Sequence, residues 1–123
     1  MKQTLAVALS KRGYETLTPV HTACVDHKLG EYDLLVAAQT GSGKTVGFGL
    51  ALGDTWLGDA EAFDRAGSPL ALVIAPTREL ALQVKRELDW LYGEAGVVMA
   101  SCVGGMDMRD ERRALDRGAH IVV

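Results

Sequence analysis

Apolar residues recur along this chain in two patterns. Near-continuous apolar runs at 34–37, 70–75, 97–103 and 120–123 alternate with stretches in which apolar residues return every three or four positions. Continuous runs suit strands buried on both faces, and the longer spacing suits helices with one face on a core. Leu5, Ala8 and Leu9 predict a helix over 4–12 that stops at Gly13. Thr18 followed by Pro19 supplies an N-cap and a first-turn proline, which predicts a second helix over 19–29. A short connection then leads into the strand Leu34-Leu35-Val36-Ala37. A helix is expected over 44–57, although Gly47, Gly49 and Gly53 each weaken it by roughly 1 kcal/mol relative to alanine.

Residues 58–69 mix charge, glycine and alanine and read as a surface connection. The run 70–75 is a buried strand broken by Pro76, after which Leu80, Val84, Leu88 and Leu91 mark a helix up to Gly93. The run 97–103 is a third strand, stopped by Gly104-Gly105. A charged helix over 106–117 follows, and the residues from His120 onward open a fourth strand. Strands alternating with helices predict an α/β fold with a mostly parallel sheet and helices on both faces. In such folds ligands sit at the carboxyl ends of strands, where the turns at 38–45, 76–80 and 104–105 fall.

Composition narrows this picture. With 48% hydrophobic and 24% charged residues the chain is an ordinary globular sequence, and 123 residues fit one domain, short for a complete doubly wound nucleotide-hydrolysing unit. The fold is therefore expected to be incomplete at its C-terminus. Cys24 and Cys102 lie far apart with no C-x-x-C spacing, and both are expected to be reduced, buried thiols. No run of about eighteen apolar residues and no signal-peptide core is present, so no membrane partner and a cytoplasmic location are expected. A net charge of −3 excludes holding nucleic acid through the overall field, so any nucleic acid must be held locally.

The chemistry centres on Ala38-Gln39-Thr40-Gly41-Ser42-Gly43-Lys44-Thr45, between the first strand and a helix. A glycine turn feeding a helix points several backbone N–H groups at one spot, where the helix dipole also favours negative charge. Gly41 and Gly43 allow close backbone approach, Lys44 can reach β- and γ-phosphates, and the Thr45 hydroxyl can ligate Mg²⁺. Two other constellations read as bland. His21, Cys24 and His27 at three-residue steps spread around a helix and cannot form a tetrahedral metal site. Arg109, Arg112, Arg113 and Arg117 are interleaved with Asp107, Asp110, Glu111 and Asp116, which describes a self-neutralised solvated face.

Three stretches together resemble the amino-terminal RecA-like domain of DEAD-box RNA helicases over essentially the whole chain. Residues 38–45 look like that family's motif I, Ala75-Pro76-Thr77-Arg78-Glu79-Leu80 matches its motif Ia, and Gly104-Gly105 stands at its double-glycine motif. Gly13-Tyr14 and Leu17-Thr18-Pro19-Val20 are similar to its adenine-recognising Q motif, with His21 where the family has glutamine. The resemblance implies a helical lead-in over 1–30 and a partial RecA-like ATP-binding domain of the P-loop NTPase type over 31–123. It implies ATP and Mg²⁺ as cofactors, with Lys44 and Thr45 as catalytic groups and Thr45 on the metal. Thr18, His21 and residues 38–45 would then bind the nucleotide, and Pro76, Thr77, Arg78, Gly104 and Gly105 the RNA sugar–phosphate backbone without reading sequence.

A glutamine gives and takes a hydrogen bond at once, matching adenine N6 and N7, whereas a neutral imidazole offers one donor and one acceptor on opposite sides of its ring. His21 is thus open between an adenine contact and a helix-surface residue. The family's Asp-Glu-Ala-Asp motif should follow a hydrophobic strand, yet no apolar run here ends in aspartate, and Asp110-Glu111 lies in a charged helical segment. The second RecA-like domain, which carries the family's arginine fingers, is also absent from this chain. The expected whole is the front part of a longer ATP-dependent RNA helicase, inactive by itself. The alternatives are a truncated, catalytically incompetent nucleotide-binding module and an unrelated phosphate-loop kinase.

Overall fold

A computed structural model describes the chain apart from His27, Leu29 and Glu31. The N-terminal helix α1 (Gln3–Lys11) turns Leu5, Ala8 and Leu9 inward, and Arg12 then Gly13, with φ 83°, close its end. Helix α2 (Pro19–Cys24) starts on the Thr18 cap, whose hydroxyl accepts from the His21 N–H. It is shorter than the predicted 19–29, and His27 and Leu29 of that expected helix lie outside the described residues.

The expected helix over 44–57 is two helices, α3 (Lys44–Ala51) and α4 (Gly53–Leu57). The break has an identifiable partner. Tyr92 donates its hydroxyl to the Gly49 carbonyl at 2.6 Å, the acceptor that the Gly53 N–H would use in an unbroken helix. Burial first, and then the charge of Asp54, push the Tyr92 phenol above its ordinary range, so it stays a donor. Glycines permit the close approach. A Cβ at Gly49 would meet Leu91 at 2.7 Å, and one at Gly53 would meet Leu5 at 2.7 Å.

Three parallel strands, β1 (Ala71–Leu72), β2 (Met99–Ala100) and β3 (Ile121–Val122), form a sheet in the order β1-β3-β2. Helix α5 (Arg78–Tyr92) follows β1, and a 3-10 turn over Gly93–Ala95 follows α5. Helix α6 (Met108–Asp116) follows β2. The two faces of the sheet see different helices. Ile121 and Val123 join the main core with Leu5, Leu9, Val46, Leu50, Leu88, Leu91 and Tyr92, while Ala100, Ala119 and Val122 pack against Ala114 of α6.

Two expectations about the strands are corrected. Residues 34–37 form no strand and pair with none, and Leu35 is 98% exposed. Ladder hydrogen bonds come only from a neighbouring strand, and among the described residues no strand pairs with this segment, which lies beside Pro19, Val20 and Ala23 of α2 instead. The run 70–75 is likewise buried on one face only: Ala71, Val73 and Ala75 pack on the core, whereas Leu72 and Ile74 face outward.

The connection over 58–69 is exposed for the most part but is tied at specific points. Phe63 stacks on His120 with ring centroids 4.5 Å apart, and its N–H donates to the Ala95 carbonyl. His120 accepts from the Val98 N–H at Nδ1 (2.9 Å), so its Nε2 carries the proton donated to the Asp64 carbonyl (2.8 Å). Glu61 accepts from the Thr4 N–H at 3.1 Å, and that backbone bond is the chief reason its carboxyl lies below the usual range.

Candidate phosphate and backbone binding site

The phosphate loop is shaped by two glycines in the left-handed region. Gly41 has φ 82° and Gly43 φ 86°, and Gly43 is the N-cap of α3 with no side-chain cap. The first-turn N–H groups of α3 are therefore not taken by a capping side chain, which is the arrangement that attracts an anion. The Lys44 ammonium folds back onto the loop, donating to the Ala38 carbonyl and to the Gln39 carbonyl at 2.7 Å. These two acceptors hold the charge over the loop, and a phosphate oxygen can replace either. Thr45 sits half-buried in the first turn.

His21 is neither a helix-surface residue nor an open platform: it is fully buried, with Nε2 3.2 Å from the Gly43 carbonyl. A carbonyl only accepts, so Nε2 is the protonated nitrogen and Nδ1 is left as an acceptor. That Nδ1 and the Ser42 hydroxyl are buried polar atoms without a partner among the described residues, and both belong to this site. Buried polar groups are normally paired, so these two unpaired atoms are unusual. Tyr14 lies beside His21 with centroids 5.6 Å apart, and stacks on Trp90, over which Arg12 sits at 5.2 Å.

The contact with His21 also explains why residue 43 is glycine. A Cβ there would lie 2.5 Å from His21 Nε2, and φ is positive besides. At Gly47 a Cβ would come within 3.2 Å of Cys24 Sγ and Val20 Cγ1, so α2 rests directly on the α3 backbone. Burial raises the Cys24 thiol above its ordinary value.

A second cluster forms at the carboxyl ends of β1 and β2. Thr77 caps α5 by accepting the Leu80 N–H at 3.2 Å. Pro76, Thr77, Arg78 and Gly104 line one groove of about 320 Å³ together with Cys102 and Val123. Arg78 does not point straight out from the strand end. Its guanidinium lies over Gly105, where a Cβ would be 2.9 Å from Nη1, and Nη2 donates to Met106 Sδ at 3.5 Å. Residues 76–78 and 104–105 thus share one rim, which the phosphate loop does not line. Cys102 on this rim is exposed, contrary to the buried thiol expected.

Asp107 caps α6 through the Arg109 N–H, Glu111 accepts the Val103 N–H at 2.9 Å, and Arg113 pairs with Asp110 at 3.4 Å. Among the described residues no three ligating side chains gather for a metal, and His27 lies outside them. No described helix is long and apolar enough to cross a membrane. The sequence reading missed the Gly43 contact of His21 and the Arg78–Met106 contact. Only the glycines opposite them gave a signal.

Comparison with known proteins bears on the same residues. A family model described as DEAD/DEAH box helicase matches residues 18–123. The chain is 41% identical over 120 residues to an ATP-dependent rRNA helicase RRP3 of Meyerozyma guilliermondii, covering 97% of this chain and 24% of that protein. It is 40% identical to the DEAD-box ATP-dependent RNA helicase 52A of Oryza sativa, over 94% of this chain and 21% of that one. The solved RNA helicase Prp28 from Chaetomium thermophilum superposes with a TM-score of 0.83 at 34% identity, over 100% of this chain and 30% of that one. A DEAD box protein from Methanococcus jannaschii gives a TM-score of 0.82 at 31% identity, over 100% of this chain and 32% of its own. The chain therefore spans 21–24% of these curated relatives.

Proposed function

The chain belongs to the DEAD/DEAH box helicase family, and on that premise we propose that it is the ATP-binding portion of an RNA helicase, coupling ATP binding and hydrolysis to duplex unwinding. The observation that carries this reading is the phosphate loop itself: a helix N-terminus without a capping side chain, a lysine held on loop carbonyls, and two orphaned buried polar atoms, His21 Nδ1 and Ser42 Oγ. Its α/β core is that of the DEAD-box structures it superposes on. One of those carries ADP, which supports a nucleotide here.

In this reading residues 1–30 are the lead-in that seats His21, and residues 31–123 are the partial ATP-binding domain. Residues 38–45 wrap the phosphates, with Lys44 turning from the Ala38 and Gln39 carbonyls to the β- and γ-oxygens. The Ser42 hydroxyl and the first-turn N–H groups of α3 complete the cradle. Thr45, at the first turn, fits an Mg²⁺ ion, which when bound would neutralise phosphate charge. Thr18 holds α2, and His21 presents a lone pair at Nδ1. Because His21 is fully buried, an amino group such as adenine N6 would donate to that lone pair, and guanine O6 be repelled by it, only where α2 moves to uncover it. Pro76, Thr77, Arg78, Gly104 and Gly105 offer donors and open backbone to an RNA strand, whose shape they read.

Equilibrium titration with a fluorescent ATP analogue tests the reading. Lys44→Ala should bind at least tenfold more weakly, because a charge-assisted contact contributes roughly 1.5–3 kcal/mol. Unchanged affinity in a folded variant refutes the phosphate-loop assignment. The second reading is a nucleotide-binding module without turnover. Purified as it stands, the chain should show no RNA-stimulated ATPase activity, and turnover that vanished with Lys44→Ala would reject that module. The family match speaks against an unrelated kinase.

A further inference from the structure

Arg78 is met by an uncommon partner for a guanidinium. Its Nη2 donates to the Met106 thioether at 3.5 Å while Nη1 lies against Gly105. A thioether is a weak acceptor, so the contact sets the direction of the side chain and yields readily to a phosphate. Met106 is 45% exposed, so the residue as a whole is open to small solutes. Its neighbour Met108 is 80% exposed, and no hydrogen bond joins it to Arg78. Nothing in the nucleotide or RNA reading requires a methionine at position 106.

We propose that Met106 is an oxidation site, and that its sulfoxide captures Arg78 and withdraws it from the RNA backbone. A sulfur lone pair attacks one oxygen of hydrogen peroxide, forming an S–O bond as the O–O bond breaks. The remaining oxygen leaves as water after a proton shift, so sulfur loses two electrons and the peroxide gains them. The sulfoxide oxygen carries substantial negative charge and accepts from a guanidinium far better than the thioether does. Arg78 already lies against this side chain, so the stronger bond forms without rearrangement of β1 or α5. Reduction of the sulfoxide restores the weak contact and frees the arginine. The effect on RNA rests on the assignment of residues 76–78 and 104–105 to the RNA backbone, whereas capture of Arg78 does not.

The 123-residue chain is treated with hydrogen peroxide, and sulfoxides are mapped by peptide mass spectrometry. RNA binding is read by anisotropy of a labelled oligouridylate, and access to Arg78 by its rate of reaction with phenylglyoxal. Oxidised wild type and oxidised Met108→Leu should bind RNA roughly three- to tenfold more weakly, as expected for one lost phosphate contact, with Arg78 reacting more slowly. Met106→Leu should be insensitive in both measurements, and methionine sulfoxide reductase should restore the wild type. Equal loss in Met106→Leu overturns the proposal, as does an unchanged phenylglyoxal rate once Met106 is fully converted. Absence of Arg78-dependent RNA binding before oxidation would instead remove the RNA assignment, and the phenylglyoxal rate alone would then decide whether the sulfoxide holds Arg78.

Discussion

The loop around Gly43 and the rim around Gly105 both precede a helix, and both hold a cation beside a glycine of positive φ. In the first, Lys44 is bonded to two carbonyls, His21 is buried against a third, and two polar atoms are shut away from water. In the second, Pro76, Thr77, Arg78, Gly104 and Gly105 are all exposed, and the arginine meets only a sulfur among the described residues. An open loop whose lysine and helix N-terminus are held in fixed positions suits one compact anion. An exposed rim with a loosely held donor suits a long polyanion that approaches in many registers.

The sharpest way to break that contrast is Gly43→Ala. Left-handed strain costs roughly 1–2 kcal/mol, and the clash with His21 adds an overpacking cost of about 1–3 kcal/mol. A fall in denaturation midpoint together with loss of ATP binding is expected, and a variant with wild-type midpoint would show that the loop is less confined than described. The comparable change on the rim, Gly105→Ala, meets only the end of a flexible arginine and should cost less.

His21→Gln probes the cradle more gently. If the glutamine presents a donor and an acceptor to the base, preference for ATP over GTP should rise on the order of five- to a hundredfold, the span of about 1–3 kcal/mol for a bidentate base contact. An unaltered ratio in competition binding would assign the imidazole to the loop alone. The smallest effect is expected at the rim. Arg78→Ala should weaken oligouridylate binding roughly three- to tenfold for every sequence and lower the salt slope by about one. A loss confined to particular sequences would contradict backbone reading.

What could be read from the sequence divides along a physical line. Helix α5 was legible because a helix satisfies its own backbone, so the spacing of Leu80, Val84, Leu88 and Leu91 with a Thr77 cap suffices to place it. The glycine loop was legible because positive φ at Gly41 and Gly43 is a local demand. Strands depend on neighbours remote in sequence, so residues 34–37 read as a strand yet stand unpaired, and β1 is covered on one face. The α3–α4 break could not be read either, since its cause is a hydroxyl 43 positions away on Tyr92. The same holds for His120, whose two ring bonds tie Val98 to Asp64 across the fold. For His21, the sequence left a base contact and a helix-surface position open, and only the geometry showed its hold on Gly43.

The unequal burial of the two cysteines has a practical consequence for labelling. Cys24 is 5% exposed with its thiol pushed up by burial, whereas Cys102 is exposed in the groove that Thr77, Arg78 and Gly104 line. Thiolate character and access together govern alkylation, so a maleimide dye should attach at one position without any engineered cysteine. These 123 residues thus carry their own reporter position, in the groove that Thr77, Arg78 and Gly104 line and apart from the phosphate loop.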